Sequence, residues 1–184
     1  MMHLKEVPAY AYKDFWSRKP KVLRPFYKVL SYIIAPLSVC VFNNAHTIGV
    51  YHDTRVMRTF KQTVQRLEEG FHVVIFPEHD EPYDHILCRF QERFVDVAQL
   101  YPKRTGKEIA FVPMYLAPAL KTMYLGEPVR FRADVPLEQE RQRVTQTLME
   151  RISRIACALP EHRVVPYNNI PKKHHGTNVP EEDT

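Results

Sequence analysis

The chain has 184 residues, 45% of them hydrophobic and 26% charged, which is enough apolar content for one sizeable core and too much for a disordered chain. The formal net charge of +5 is unevenly placed: residues 1–28 hold seven Lys/Arg against Glu6 and Asp14, and the remainder balances at 19 against 19. That distribution argues against a nucleic-acid domain, which would lay Lys and Arg along its binding face.

Residues 1–28 form a basic lead-in, too charged for a signal peptide. The run Val29 to Phe42 that follows has no charge and is interrupted by Pro36. Fourteen residues are too few to span a bilayer and suit a core helix or an interfacial segment. Basic and aromatic residues ahead of the run, among them Trp16, Arg18, Lys19, Phe26 and Tyr27, match an anionic membrane surface. Past Asp53 and Thr54, the spacing of Val56, Met57, Phe60, Val64 and Leu67 predicts an amphipathic helix stopped at Gly70. Val73 to Phe76, apolar and closed by Pro77, reads as a strand buried on both faces.

Leu87, Phe90, Phe94, Val97, Ala98 and Tyr101 mark one face of a helix beginning near Ile86, and Ile109 to Leu116 reads as a second apolar strand. Met123 to Phe131 reads as a hairpin or two edge strands, and Leu137 to about Leu159 as a long helix. Residues 160–184, with four prolines and His174-His175, read as a tail. The fold expected is α/β, a sheet flanked by helices over residues 29–159. Cys40, Cys88 and Cys157 are odd in number and far apart, so no disulfide framework or zinc knuckle is expected and a reducing cytoplasm fits.

Open α/β sheets bind ligands beyond the carboxyl ends of their strands, which directs attention to Pro77-Glu78-His79-Asp80-Glu81. Glu78 to His85 holds four carboxylates and two histidines. Three readings stand side by side: a metal site on His79, Asp80, Asp84 or His85, a general acid/base pair, or a polar loop in which Asp84 caps the following helix.

Gly49-Val50-Tyr51-His52-Asp53-Thr54-Arg55, then Gly70, then Val73-Val74-Ile75-Phe76-Pro77-Glu78, then Phe111-Val112-Pro113 resemble, in order and spacing, the blocks of the glycerolipid acyltransferases of the lysophosphatidic-acid acyltransferase type. The resemblance implies an acyltransferase-like mixed sheet and acyl transfer from an acyl-CoA or acyl-carrier-protein thioester to a hydroxyl of a glycerolipid-like or polyol acceptor, with no further cofactor and no metal. It implies a place in phospholipid biosynthesis, peripheral on the cytoplasmic side of a membrane. It assigns Arg55, Pro77, Glu78 and His79 to substrate binding.

Two positions depart from the family's pattern. Its Gly-Thr-Arg after Phe-Pro-Glu is His79-Asp80-Glu81 here, which reverses the charge at a position suited to holding phosphate. Its catalytic His-x-x-x-x-Asp has no counterpart in the expected block: of nine histidines only His79 has an Asp five residues on, Asp84, and that pair follows the wrong strand. The expectation is therefore a domain incomplete at its N-terminal side and inactive as it stands. The alternatives are a non-catalytic lipid- or partner-binding module of the same fold, or a metal-dependent enzyme built on the cluster at 79–85.

Overall fold

A computed structural model describes residues 21–51, 55–166, 170 and 172–179; Trp16, Arg18, Lys19, Asp53 and Thr54, singled out above, lie outside them. The chain divides into two compact units, residues 1–65 and 66–184.

In the first unit, a 3-10 turn at Lys21–Leu23 leads into helix α1, Arg24–Asn44. Pro25 occupies the first turn, where its missing N–H has no helical partner to lose. Pro36 lies inside the same helix and removes the hydrogen bond that the carbonyl of residue 32 would accept. Helix α2, Val56–Glu68, carries the expected apolar periodicity and buries Thr63 and Val64. The Thr59 hydroxyl donates to the Gly49 carbonyl at 2.7 Å, tying the incoming loop to the first turns of α2. Gly70, at φ 87°, ends the helix as predicted: its N–H reaches the Leu67 carbonyl while the Phe71 N–H reaches that of Arg66, the paired closure that a left-handed residue makes possible.

The second unit mixes helices with three two-stranded antiparallel sheets among its described residues. Strands β1 (Glu78–Tyr83) and β2 (Cys88–Phe90) form an irregular hairpin. A 3-10 turn at Arg93–Asp96 leads into helix α3, Val97–Thr105. Strands β3 (Ala110–Phe111) and β4 (Met114–Ala117) pair with β6 (Val129–Arg130) and β5 (Thr122–Leu125), respectively, so of the two readings of Met123 to Phe131, a hairpin or two edge strands, the structure has two strands with separate partners. Helix α4, Leu137–Cys157, spans most of the long helix expected.

Phe111, Pro113, Tyr115 and Ala117 alternate inward along one face of this stretch, and α4 lies against β4 and β6 with Val144, Leu148 and Ala156 buried. The fit is close. A Cβ added to Gly126 would stand 2.8 Å from Pro113 Cγ and 3.0 Å from Ile155 Cδ1, so the turn after β5 approaches α4 only because position 126 has no side chain. The outward partners Val112, Leu116, Met123 and Leu125 are exposed.

Two expectations are corrected here. Val73 to Phe76 is not a buried strand: it lies outside every strand, and Val74 and Phe76 are 58% and 67% exposed. A strand apolar on both faces needs neighbours at its edges and layers above and below, and no described strand pairs with this one. The helix expected from Ile86 begins only at Val97, because Cys88 to Phe90 pairs back onto β1.

Two polar networks hold the second unit. Arg141 pairs with both Asp96 carboxylate oxygens, at 2.7 and 2.8 Å. Glu140 is fully buried and accepts from the Arg143 guanidinium and the Arg132 backbone N–H, and these bonds, Arg143 foremost, hold its carboxyl below the usual range against the opposing effect of burial.

The segment read as a tail carries structure at residues 162–164 and 172–178. Arg163 bridges Thr177 antiparallel, and the Val164 N–H donates to Gly176. Asn178, 1% exposed, donates to the carbonyls of Ala156 and Leu159 at 2.8 and 3.2 Å and accepts the His162 N–H at 2.8 Å. It adds a donor at the Ala156 carbonyl, which the Leu159 N–H also reaches, and satisfies the Leu159 carbonyl just past α4. Asn178→Ala strands those groups in a dry site and is expected to lower unfolding free energy by about 2–3 kcal/mol; denaturant titration against Thr177→Ala, whose hydroxyl bond is exposed, measures the difference.

Candidate functional site

The β1–β2 hairpin positions Glu78. Its register sets Glu78 opposite Phe90 and Tyr83 opposite Cys88, and the Gln91 N–H returns to the Pro77 carbonyl at 2.7 Å. The Glu78 carboxylate, half-buried, accepts the Cys88 backbone N–H at 2.8 Å. Burial pushes that carboxyl above its ordinary range; the Cys88 bond opposes the shift, and the negative charge of Asp84 adds to it.

Asp84 shapes the turn. Its Oδ1 accepts the N–H groups of Ile86 and Leu87 at 3.1 and 2.9 Å, the local bonding by which Asp competes with regular structure. The capping reading of Asp84 therefore holds in part: the residue caps a turn that leads into β2, not into a helix. His85 takes the left-handed conformation at φ 67°, and its carbonyl accepts the Tyr83 hydroxyl at 2.6 Å. Burial first, then the charges of Asp84, Cys88, Tyr115 and Glu78, push the Tyr83 phenol up to about 12.

A second polar pair lies at residues that the sequence did not single out. Tyr115, on the inward face of β4, bonds His162 Nε2 at 2.7 Å, and the two rings meet edge to face with centroids 5.6 Å apart. His162 Nδ1 lies 2.7 Å from the Pro160 carbonyl. A carbonyl only accepts, so Nδ1 carries the proton, and in the neutral imidazole Nε2 accepts from the Tyr115 hydroxyl. Burial, and then Cys157, raise the Tyr115 phenol above its ordinary value. Tyr115 and His162 thus form a bonded, buried pair in the second unit. Tyr115 was legible only as one position of an apolar strand, and His162 sat in a segment without periodicity.

Of the residues assigned from sequence, Pro77, Glu78 and His79 come together on this hairpin, with His79 exposed. Arg55 belongs to the first unit, where its guanidinium lies over the Tyr51 ring, 4.5 Å from the centroid, a cation–π arrangement. No hydrogen bond or ion pair joins His79 to Asp84 among the described residues. Among those residues, too, no group of three or more His, Cys, Asp and Glu is placed to hold a metal ion; the side chains of Asp80 and Glu81 lie outside that description.

Comparison with protein-family models, with curated proteins and with solved structures found no match to this chain.

The raised Glu78 carboxyl has a consequence with a definite sign. A folded-state value above the unfolded one means that the unfolded chain releases its proton first, so stability falls as pH rises from the unfolded value of about 4.3 through the folded one. Glu78→Gln keeps an acceptor for the Cys88 N–H and removes this contribution. The expected outcome is a flatter stability profile above pH ~4.3, measured by urea titration at successive pH values, with the Glu78 carboxyl in the wild type titrating above ordinary glutamate by carbon-13 NMR.

Proposed function

We propose that this chain is an acyltransferase-type α/β domain, peripheral on the cytoplasmic side of a membrane, that binds an acyl thioester and a hydroxyl-bearing glycerolipid-like or polyol acceptor. The observation that supports this reading is the ordered set Gly49 to Arg55, Gly70, Phe76-Pro77-Glu78 and Val112-Pro113, whose order and spacing resemble the blocks of the glycerolipid acyltransferases.

In the transfer itself, the acceptor oxygen attacks the thioester carbon, the new C–O bond forms, the C–S bond breaks, and the thiol leaves with a proton that a base must first take from the hydroxyl. Pro77, Glu78 and His79 lie on the acceptor side of this reading. A half-buried carboxyl, which repels an anion when it is ionised, suits hydrogen bonding to a hydroxyl better than contact with a phosphate.

A base is the missing part. The one His-x-x-x-x-Asp spacing is His79 to Asp84, and Asp84 Oδ1 is already committed to the Ile86 and Leu87 N–H groups. Since a positioned base contributes ~10²- to 10⁴-fold, binding without turnover is expected, and the same observation favours the second reading, a non-catalytic lipid- or partner-binding module of this fold.

The test pairs equilibrium binding with turnover. The full chain is expected to bind a long-chain acyl-CoA, with Glu78→Gln weakening acceptor-dependent binding roughly tenfold, as loss of one charged hydrogen-bonding group does. Thiol release with glycerol 3-phosphate, lysophosphatidate or a neutral polyol is expected to stay at the protein-free rate. Absence of thioester binding rejects the acyltransferase reading. Turnover abolished by His79→Ala rejects the inactive one and makes His79 the base.

A further inference from the structure

Helix α1 presents its side chains in the reverse of the usual order. A helix in a water-soluble unit turns large apolar side chains inward and polar ones outward. On α1 the covered positions are Ser31 and Ala35, each 2% exposed, whereas Phe26, Val29, Ile33, Leu37 and Val41 are between 57% and 69% exposed. At 100° per residue these five fall on one side of the helix, opposite Ser31 and Ala35, and no charged residue lies among them. The only charges in Arg24–Asn44 are Arg24 and Lys28, both in its first turns; the helix has no Asp or Glu. They continue the basic excess of residues 1–28, which equals the whole net charge of the chain.

We propose that the exposed face of α1 is a docking surface for the anionic leaflet of a membrane, with the helix lying in the plane of the interface. The occupant follows from charge. A second copy of α1 would offer this face apolar contact but no acidic group for Lys28 and the residues before it, whereas anionic headgroups supply both an apolar boundary and countercharge in one surface. Orientation in the plane follows from the lack, among the described residues, of any helix long and apolar enough to cross a membrane. Twenty-one residues make a rod of about 32 Å, along which Phe26, Ile33 and Leu37 enter the acyl boundary, while Arg24 and Lys28 stand on the other side of the helix, away from the acyl chains, and the basic excess sits at its N-terminal end. Pro36, on the same side, leaves the residue 32 carbonyl without its helical donor, a group that interfacial water satisfies and a dry protein contact would not. The inference names the surface for the peripheral location proposed above and needs none of the transfer chemistry.

The test uses the full chain with vesicles of phosphatidylcholine alone or mixed with phosphatidylserine, and no thioester or acyl acceptor. Cosedimentation is expected with the mixed vesicles, weakened by salt but not abolished, because the apolar contribution is unscreened. Ile33→Glu/Leu37→Glu is expected to lower the partition coefficient at least ~tenfold, since each replaces buried apolar area by a charge, with circular dichroism and melting unchanged because both positions face solvent. Lys21→Ala/Lys28→Ala is expected to lower it ~20-fold at low salt and little at high salt. Cys40, also exposed on α1, carries an environment-sensitive fluorophore in a Cys157→Ser background; its emission is expected to shift to the blue with mixed vesicles and to be quenched by spin labels high on the acyl chain. Sedimentation that ignores Ile33→Glu/Leu37→Glu, or no binding to either vesicle, overturns the proposal. So does a lipid-free dimer that the same pair dissociates, which would assign the face to a second copy. Failure of acyl-CoA binding in the earlier assay leaves this result untouched, and the reverse holds as well.

Discussion

The second unit depends on one contact, the seating of the inward residues of 111–117 on helix α4. Phe111, Pro113, Tyr115 and Ala117 present a small, regular surface, and Val144, Leu148 and Ala156 close against it. Gly126 lets the neighbouring turn approach until Pro113 and Ile155 leave no room for a methyl group. Because interiors pack at crystal-like density, this contact sets where everything attached to α4 must lie. Asp96 meets Arg141, Glu140 meets Arg143 and the Arg132 N–H, and Asn178 closes the helix end.

The polar groups around this core differ in what they do. Glu140 is buried and fully engaged, and its carboxyl is held low by its donors; such a group orders a structure and has nothing left over for a ligand. Glu78 is half-buried with one backbone donor, and its carboxyl is pushed up. A carboxyl left short of partners in a partly dry place is the kind of group that functional sites retain. The Tyr115–His162 pair lies between these cases: it is buried like Glu140, and both ring nitrogens of His162 have partners, Pro160 and Tyr115.

Both units leave large apolar surfaces uncovered, and they do so differently. In the second, Val112, Leu116, Met123 and Leu125 line the outer face of a ribbon whose inner face is packed, and Val74 to Phe76 stands exposed outside any strand. In the first, the exposed surface belongs to a helix whose covered side is small and hydroxylated. A ribbon that is apolar on both faces is coded for a layer above as well as below; a helix that is large and apolar outside and small inside is coded for an apolar environment outside. The second case has basic residues at its end and therefore points to a surface of opposite charge.

The sequence by itself determined the elements whose code is local. Helix α2 with its Gly70 stop, and the long helix α4, are written in apolar spacing and in a glycine at the left-handed position, and both stand where that spacing put them. The charge imbalance of residues 1–28 was equally plain, whereas the polar stretch from Glu78, which reads as a loop, is strand β1. What remained undecided was every feature that depends on a neighbour distant in the chain. Val73 to Phe76 carries a strand pattern but finds no described strand to pair with, Cys88 to Phe90 carries a helical pattern but folds back onto β1, and His162 becomes buried only because Asn178 and Tyr115 arrive from 16 and 47 residues away. Periodicity records which side of an element prefers to be dry. Only the tertiary structure decides whether anything is there to cover it.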